Sequence, residues 1–305
     1  MRQAIPKTAF ALLSGSAQWG LVFPDDLKEP GITVLERGLR FETPWGATEN
    51  WQVLGVSGRY TPDRQDRTIL NVFSHGWPTD SIDHSMHRKV AWVLREAGVR
   101  KILADSTVGS LNKFLQPRDF IIPRDVLDLS QTQYSLLDGR LRHQCSAKQL
   151  FCPSLAQALE GIARELWPAP ARVLGHGQHV IAVHNWGPRF SSQAEAQAYK
   201  LLGGDAVNQS IGPEASAARE IGACFVSASF VVRYQDGILE GAVEAVDHLH
   251  HELARLAARI SLLTLMRAPL TTACGCPGLH ASRPAGYTIN AQGGRVRQSR
   301  KARTR

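Results

Sequence analysis

From residue 7 to residue 267 short β-rich runs alternate with helical patterns, and no Pro/Gly/Ser-rich stretch between them is long enough to be a linker. A chain that keeps switching between a period of 2 and a period of 3.6 buries both kinds of apolar face by laying helices against a sheet. That pattern predicts a single α/β domain over residues 1–267, built on a largely buried sheet. Strands are expected over 8–13, 68–73, 101–104, 119–122, 179–184 and 223–230. Helices are expected over 85–97, 153–166, 192–202, 213–221 and 239–267. In the last of these Val243, Val246, Leu249, Leu253, Leu256, Ile260 and Leu263 recur at spacings of three and four, an unbroken apolar stripe. After Pro269 the periodicity stops and Gly, Arg, Ser and Ala dominate, so residues 268–305 are expected to form a basic, disordered tail.

The tail accounts for the charge. The whole chain carries +8, and residues 268–305 hold seven basic side chains and no acidic one, which leaves +1 for the body. An electrostatically bland body is not a nucleic-acid-binding domain, and nonspecific contact by the tail is the most that the charge supports. No apolar run approaches the ~20 residues of a membrane span, and the apolar stretch near the N-terminus is too short for a signal peptide, so a cytoplasmic protein is expected. Five cysteines, odd in number and scattered (145, 152, 224, 274 and 276), make no disulfide framework and fit a reducing compartment. Cys274-Gly275-Cys276 reads as lying in the tail without ligand partners, and His248, His250 and His251 read as a solvated helix face. No metal site is expected from either group.

Ligands of open α/β sheets gather in the loops at the carboxyl ends of strands. Four such loops pair small hydroxyl residues with glycine or with a helix start: Ser14-Gly15-Ser16, Ser74-His75-Gly76, Ser106-Thr107-Val108-Gly109-Ser110 and Asn208-Gln209-Ser210-Ile211-Gly212-Pro213-Glu214. Hydroxyls and free backbone N–H groups at such places cradle anions. One Ser-Gly turn alone is ordinary loop chemistry, whereas four in one domain suggest a shared site.

The motifs read together carry a resemblance. Gly187-Pro188-Arg189-Phe190-Ser191-Ser192, then Glu195, Gly204-Asp205-Ala206-Val207-Asn208 and Pro213-Glu214, resemble the signature of the purine nucleoside phosphorylases, closest to the 5′-methylthioadenosine phosphorylase branch. Thr43-Pro44-Trp45-Gly46, His75-Gly76, Gly109-Ser110-Leu111, Gln116-Pro117, Asp119, Asp138-Gly139 and Phe151-Cys152-Pro153 support it in order and spacing. The resemblance spans residues 8 to 267. It implies a mixed, twisted sheet flanked by helices, a homotrimer, and cleavage of a purine N-ribosidic bond by inorganic phosphate with no other cofactor. Ser16, His75, Ser106 and Ser210 match phosphate-binding positions. Thr107, Phe190 and Ser191 match positions lining the base, and Gln209 stands beside the ribose where the family has methionine.

Two positions depart from the pattern. The arginine that precedes the histidine of the His75-Gly76 pair is Ser74 here, so a bidentate cationic grip on phosphate becomes one neutral hydroxyl. Losing such a contact costs about 1.5–3 kcal/mol, or one to two decades of affinity. Past residue 230, Arg233 and Gln235 stand where the family presents an acid or amide to purine N7 and a second aspartate, with Asp236 one residue out of register unless a bulge brings it in. Arginine keeps its proton, so it would act by donating hydrogen bonds to a departing base. An Arg–Gln pair suits a base bearing acceptors, such as a 6-oxopurine. The rival readings are a nucleoside hydrolase or unusual-substrate phosphorylase, and a noncatalytic ligand-binding or scaffold protein that kept the fold.

Overall fold

The computed structural model describes residues 3–74, 85–130, 135–136, 146–187, 189–239, 246–271, 274–279, 287–289 and 295–297. His75, Asp138 and Gly139 lie outside the described residues, as do Pro188 and residues 240–245.

The centre is an 11-stranded mixed sheet. Strand β1 (Phe10–Ser14) is followed by a long antiparallel hairpin, β2 (Ile32–Thr43) and β3 (Gly46–Val56), and by β4 (Arg67–Phe73). Next come β5 (Lys101–Ser110), β6 (Phe120–Ile121), β7 (Asp125–Asp128), β8 (Val173–Leu174), β9 (Ile181–His184), β10 (Ala206–Asn208) and β11 (Cys224–Tyr234). The main path runs β2-β3-β4-β1-β5-β10-β9-β7, with β11 also on β5 and β6 and β8 beyond it. The hairpin β2–β3 has no counterpart among the strands expected from the sequence. β2 carries Glu36, Arg37, Arg40 and Glu42 and is mostly exposed, so it lacks the apolar run that marks a buried strand.

Among the described residues five helices cover the sheet: α1 (Met86–Ala97), α2 (Pro153–Leu166), α3 (Gln193–Leu201), α4 (Ile211–Ile221) and α5 (Val246–Arg267). Successive residues of β1 face opposite ways, and the core divides accordingly. Phe10 and Leu12 join Leu155, Leu159, Leu253 and Leu263 of α2 and α5 on one face. Ala11 and Leu13 join Val90, Val93, Ile211 and Ala215 of α1 and α4 on the other. Among the described residues no helix is long and apolar enough to cross a membrane.

Of the segment read as a tail, Ala268 and Cys276 are fully buried against the α2–α5 face. Further on, β12 (Tyr287–Ile289) pairs antiparallel with β13 (Arg295–Arg297). The reading of Cys274 and Cys276 as cysteines without partners is corrected. The Sγ atoms of Cys152, Cys224, Cys274 and Cys276 all lie within 4.8 Å of one another. The fold closes over separations of some 50 to 120 residues that no local motif reveals. The histidine reading also changes in part: His248 and His251 are exposed, but His250 is buried between Trp19 and Phe230.

Candidate active site

Strand β5 exchanges neighbours along one edge. Residues 101–104 pair with β1, and Gly109 and Ser110 pair with β10, while β11 follows the other edge throughout. Residues 105–108 therefore have no strand on the first edge, a switch point of the kind where α/β sheets bind ligands. There the Ser16 hydroxyl takes the Thr107 N–H that a neighbouring strand would have used.

Three of the sequence-predicted hydroxyls meet there. The Ser16 hydroxyl, at the start of a 3₁₀ turn after β1, accepts the Thr107 N–H at 2.9 Å and the Thr107 hydroxyl at 3.0 Å. The Ser106 hydroxyl accepts an Asn208 side-chain N–H at 2.8 Å and lies 2.9 Å from the Ser229 hydroxyl on β11. The side-chain oxygen of Asn208 accepts the backbone N–H groups of Ser210 and Ile211 at 2.7 Å and the Ser210 hydroxyl at 3.3 Å. Ser210 is the N-cap residue of α4, so Asn208 satisfies the donors that this helix start leaves free. Ser106 and Ser210 thus belong to one buried polar patch tied together by Asn208 and Ser229, and the half-buried Ser16–Thr107 pair adjoins it along β5.

Two buried acids lie beneath it. Asp105 accepts the Gly15 N–H at 2.9 Å and an N–H of the Gln18 side chain. Burial pushes its carboxyl up to about 7, against the pull of those two donors. Burial likewise pushes Glu214 up to about 8; the Ser210 hydroxyl draws it back, the nearby Asp105 adds to the rise and the Ser74 hydroxyl opposes it. Ser74 itself is buried and packs in the Leu13–His87–Glu214 neighbourhood. An acid directly after the apolar run Ile102-Leu103-Ala104 was the signal that would have marked Asp105 in advance.

The predicted base-side residues come from a second group of loops. Ser192 caps α3 in a capping box with Glu195, and Arg189 grips the same carboxylate through both terminal nitrogens at 2.6 and 2.7 Å. The Arg189 fork and the Ser192 N–H hold Glu195 down to about 2. This closed loop presents Phe190, 63% exposed, with its ring centroid 4.0 Å from the Arg233 guanidinium carbon. Ser191 is buried and its hydroxyl accepts an Asn185 side-chain N–H at 3.1 Å. Gln209 donates to the Arg189 carbonyl at 2.9 Å, which ties the base-side loop to the hydroxyl patch.

Arg233 reaches this position through a bulge. The β11–β5 register slips between Val231 and Arg233, so Arg233 stands opposite Gly109. Its Nη2 is buried without a hydrogen-bond partner, as is Oε1 of Gln235. Gln235 is packed so tightly over Gly109 that a Cβ there would sit 2.0 Å from its Nε2, so any larger residue would have to push the glutamine side chain aside. The bulge does not bring Asp236 inward: its carboxylate is 60% exposed and 3.9 Å from Arg233. His184 and Trp186 pack edge to face, Trp186 also against His87, and burial lowers His184 to about 4.

The model of the phosphorylase superfamily matches residues 42–266. The probable 6-oxopurine nucleoside phosphorylase of Thermococcus kodakarensis is 31% identical over 81% of this chain and 91% of its own. The S-methyl-5′-thioadenosine phosphorylase of Thermofilum pendens is 30% identical over 83% and 86%, and the probable S-methyl-5′-thioinosine phosphorylase of Methanothermobacter thermautotrophicus 29% over 82% and 83%. In fold, the chain is similar to a crystal structure of a methylthioadenosine phosphorylase from an Antarctic soil metagenomic library, with a TM-score of 0.69 and 22% identity over 85% of both chains. With a switch-point hydroxyl patch, a clamped aromatic loop and relatives matched along most of their length, the chain belongs to the phosphorylase superfamily, among the purine nucleoside and methylthioadenosine phosphorylases.

Proposed function

We propose that the protein cleaves the N-ribosidic bond of a purine nucleoside with inorganic phosphate and without any other cofactor, and that it prefers a base with hydrogen-bond acceptors, such as a 6-oxopurine. Free base and a ribose-1-phosphate-type product leave. The observation that carries the preference is the Arg233 Nη2, a buried donor with no partner, held beneath Phe190 and two residues from an unpartnered Gln235 Oε1. Leaving such groups unmatched is costly, so a ligand that satisfies both is selected over one that does not. A 6-oxopurine offers acceptors at O6 and N7 to the guanidinium and a ring N–H to the glutamine oxygen. Relatives named for 6-oxopurine and thioinosine substrates point the same way.

In this reading phosphate is held by Ser16, Ser106 and Ser210 together with His75, and attacks C1′ as the bond to the base lengthens. The nearby dianion favours the oxocarbenium-like ribosyl group, and Arg233 stabilises the negative charge that develops on the departing base. Thr107, Phe190 and Ser191 line the base and Gln209 the ribose. The enzyme would serve purine salvage in the cytoplasm as a homotrimer.

The test is release of free base from inosine, 5′-methylthioinosine, adenosine and 5′-methylthioadenosine, each with and without phosphate. Phosphate-dependent release, with the oxopurine member of each pair ahead, is the expected result. Equal release without phosphate would make the protein a hydrolase, and no release from any member would remove the reading.

A further inference from the structure

The four-cysteine cluster includes Cys224 at the start of β11, the strand that also carries Ser229 of the hydroxyl patch, and the proposed chemistry does not use it. Its ligating atoms come from three separate elements. Cys152 is the N-cap residue of α2. Cys224 opens β11. Cys274 and Cys276 flank Gly275, whose φ of +74° is a left-handed turn that lets two sulfurs one residue apart face a common point. Cys152, Cys224 and Cys276 are buried in the core, and Cys274 is half-buried.

We infer that these four thiolates form a tetrahedral zinc site that fastens the chain after α5 to the start of α2 and to β11. No pair stands apart from the others: all four Sγ atoms are mutually within 4.8 Å, and Cys224 and Cys274 are 3.4 Å apart. Four thiolates around zinc, with Zn–S near 2.3 Å, lie about 3.8 Å from one another, so the cluster needs only small adjustments to accept the ion. The surroundings suit a centre with excess negative charge. Arg219 is fully buried beside it, donating to the Cys276 carbonyl at 3.0 Å and to the Gln149 carbonyl, and no carboxylate among the described residues lies within ion-pair distance of its guanidinium. A buried cation without a countercharge is expensive, and a tetrathiolate zinc centre, formally dianionic, supplies one. Gln149 completes the outer contacts, donating to the Cys274 carbonyl at 2.7 Å and to Cys276 Sγ at 3.5 Å.

The test uses the full chain, produced with zinc and purified without chelator. Elemental analysis should find stoichiometric zinc, and exchange with Co²⁺ should give the sulfur-to-metal charge-transfer band and intense visible bands of a tetrahedral thiolate site. Cys274→Ser and Cys276→Ser should each lose the metal, while Cys145→Ser, at the fifth cysteine, should keep it. Because the first two variants also disturb packing, the wild-type protein is followed directly: a strong chelator should release zinc and expose four additional thiols to a disulfide reagent in the same time course. A folded protein without metal whose thiols all react from the start would overturn the inference. So would an unreduced mass showing the four cysteines joined as disulfides.

Discussion

Arg233 shows how one side chain can be placed by features that are each unremarkable. A bulge shifts it opposite Gly109, an exposed phenyl ring covers its guanidinium, and one of its donors is left buried without a partner. If that donor meets the departing base, Arg233→Ala should lower kcat/KM for the preferred nucleoside by roughly one to two decades, the worth of a charge-assisted hydrogen bond. Most of the loss should fall on kcat, and the margin between oxopurine and aminopurine substrates should shrink. An unchanged margin would take Arg233 out of base selection. The sequence marked Arg233 and Gln235 because they break a recognisable pattern. Asn208 stood in a marked loop and in the signature, but its role in holding Ser210 and Ile211 showed only once its three backbone and hydroxyl partners were in place at the end of β10.

Among the elements, the loop from Gly187 to Ser192 and helix α3 act as one unit. The capping box ties the helix start, and Arg189 bolts the loop to the same glutamate, so Phe190 stays over Arg233 although most of its ring faces solvent. Ser192→Ala should cost about 1 kcal/mol of stability, as N-cap losses do. It should also raise KM for the nucleoside more than it lowers kcat, because the phenyl cover is less well held. Calorimetry and steady-state kinetics on the same preparation check both. Helix positions were legible in the sequence because each carries a 3.6-residue apolar stripe and a cap, as in α1 with Gly98 at its end. The β2–β3 hairpin was not, because a strand with charged residues on its open face looks like loop until its partner is known. The bulge in β11 was equally silent, since register is a property of two strands and not of one.

For the molecule as a whole, the two buried acids couple the hydroxyl patch to stability. Asp105 and Glu214 keep their protons up to about 7 and about 8 in the folded chain, against ordinary values of 3.8 and 4.5. Between those limits the unfolded chain binds fewer protons than the folded one, so stability falls as pH rises and levels off above about 8. His184, neutral when folded down to about 4, pulls the other way only below its ordinary 6.5. Denaturant unfolding between about pH 6.5 and 8.5 should therefore show a loss of about 2–3 kcal/mol. Glu214→Gln, neutral at every pH, should remove most of that slope, and a slope that survives the substitution would refute the assignment. The alternating pattern announced the layered α/β architecture, whereas burial of individual acids and the meeting of four distant cysteines depend on tertiary closure. Their partners lie on other elements, and no window of sequence holds both members of a contact. The exchange of neighbours along β5 has a mechanical consequence of its own. At residues 105–108 the backbone is braced by β11 on one side and, at Thr107, by the detachable Ser16 hydroxyl on the other. The sheet therefore has a compliant seam set into a rigid plate: a guest can pry Ser16 from Thr107 and settle there while every strand ladder around it stays closed.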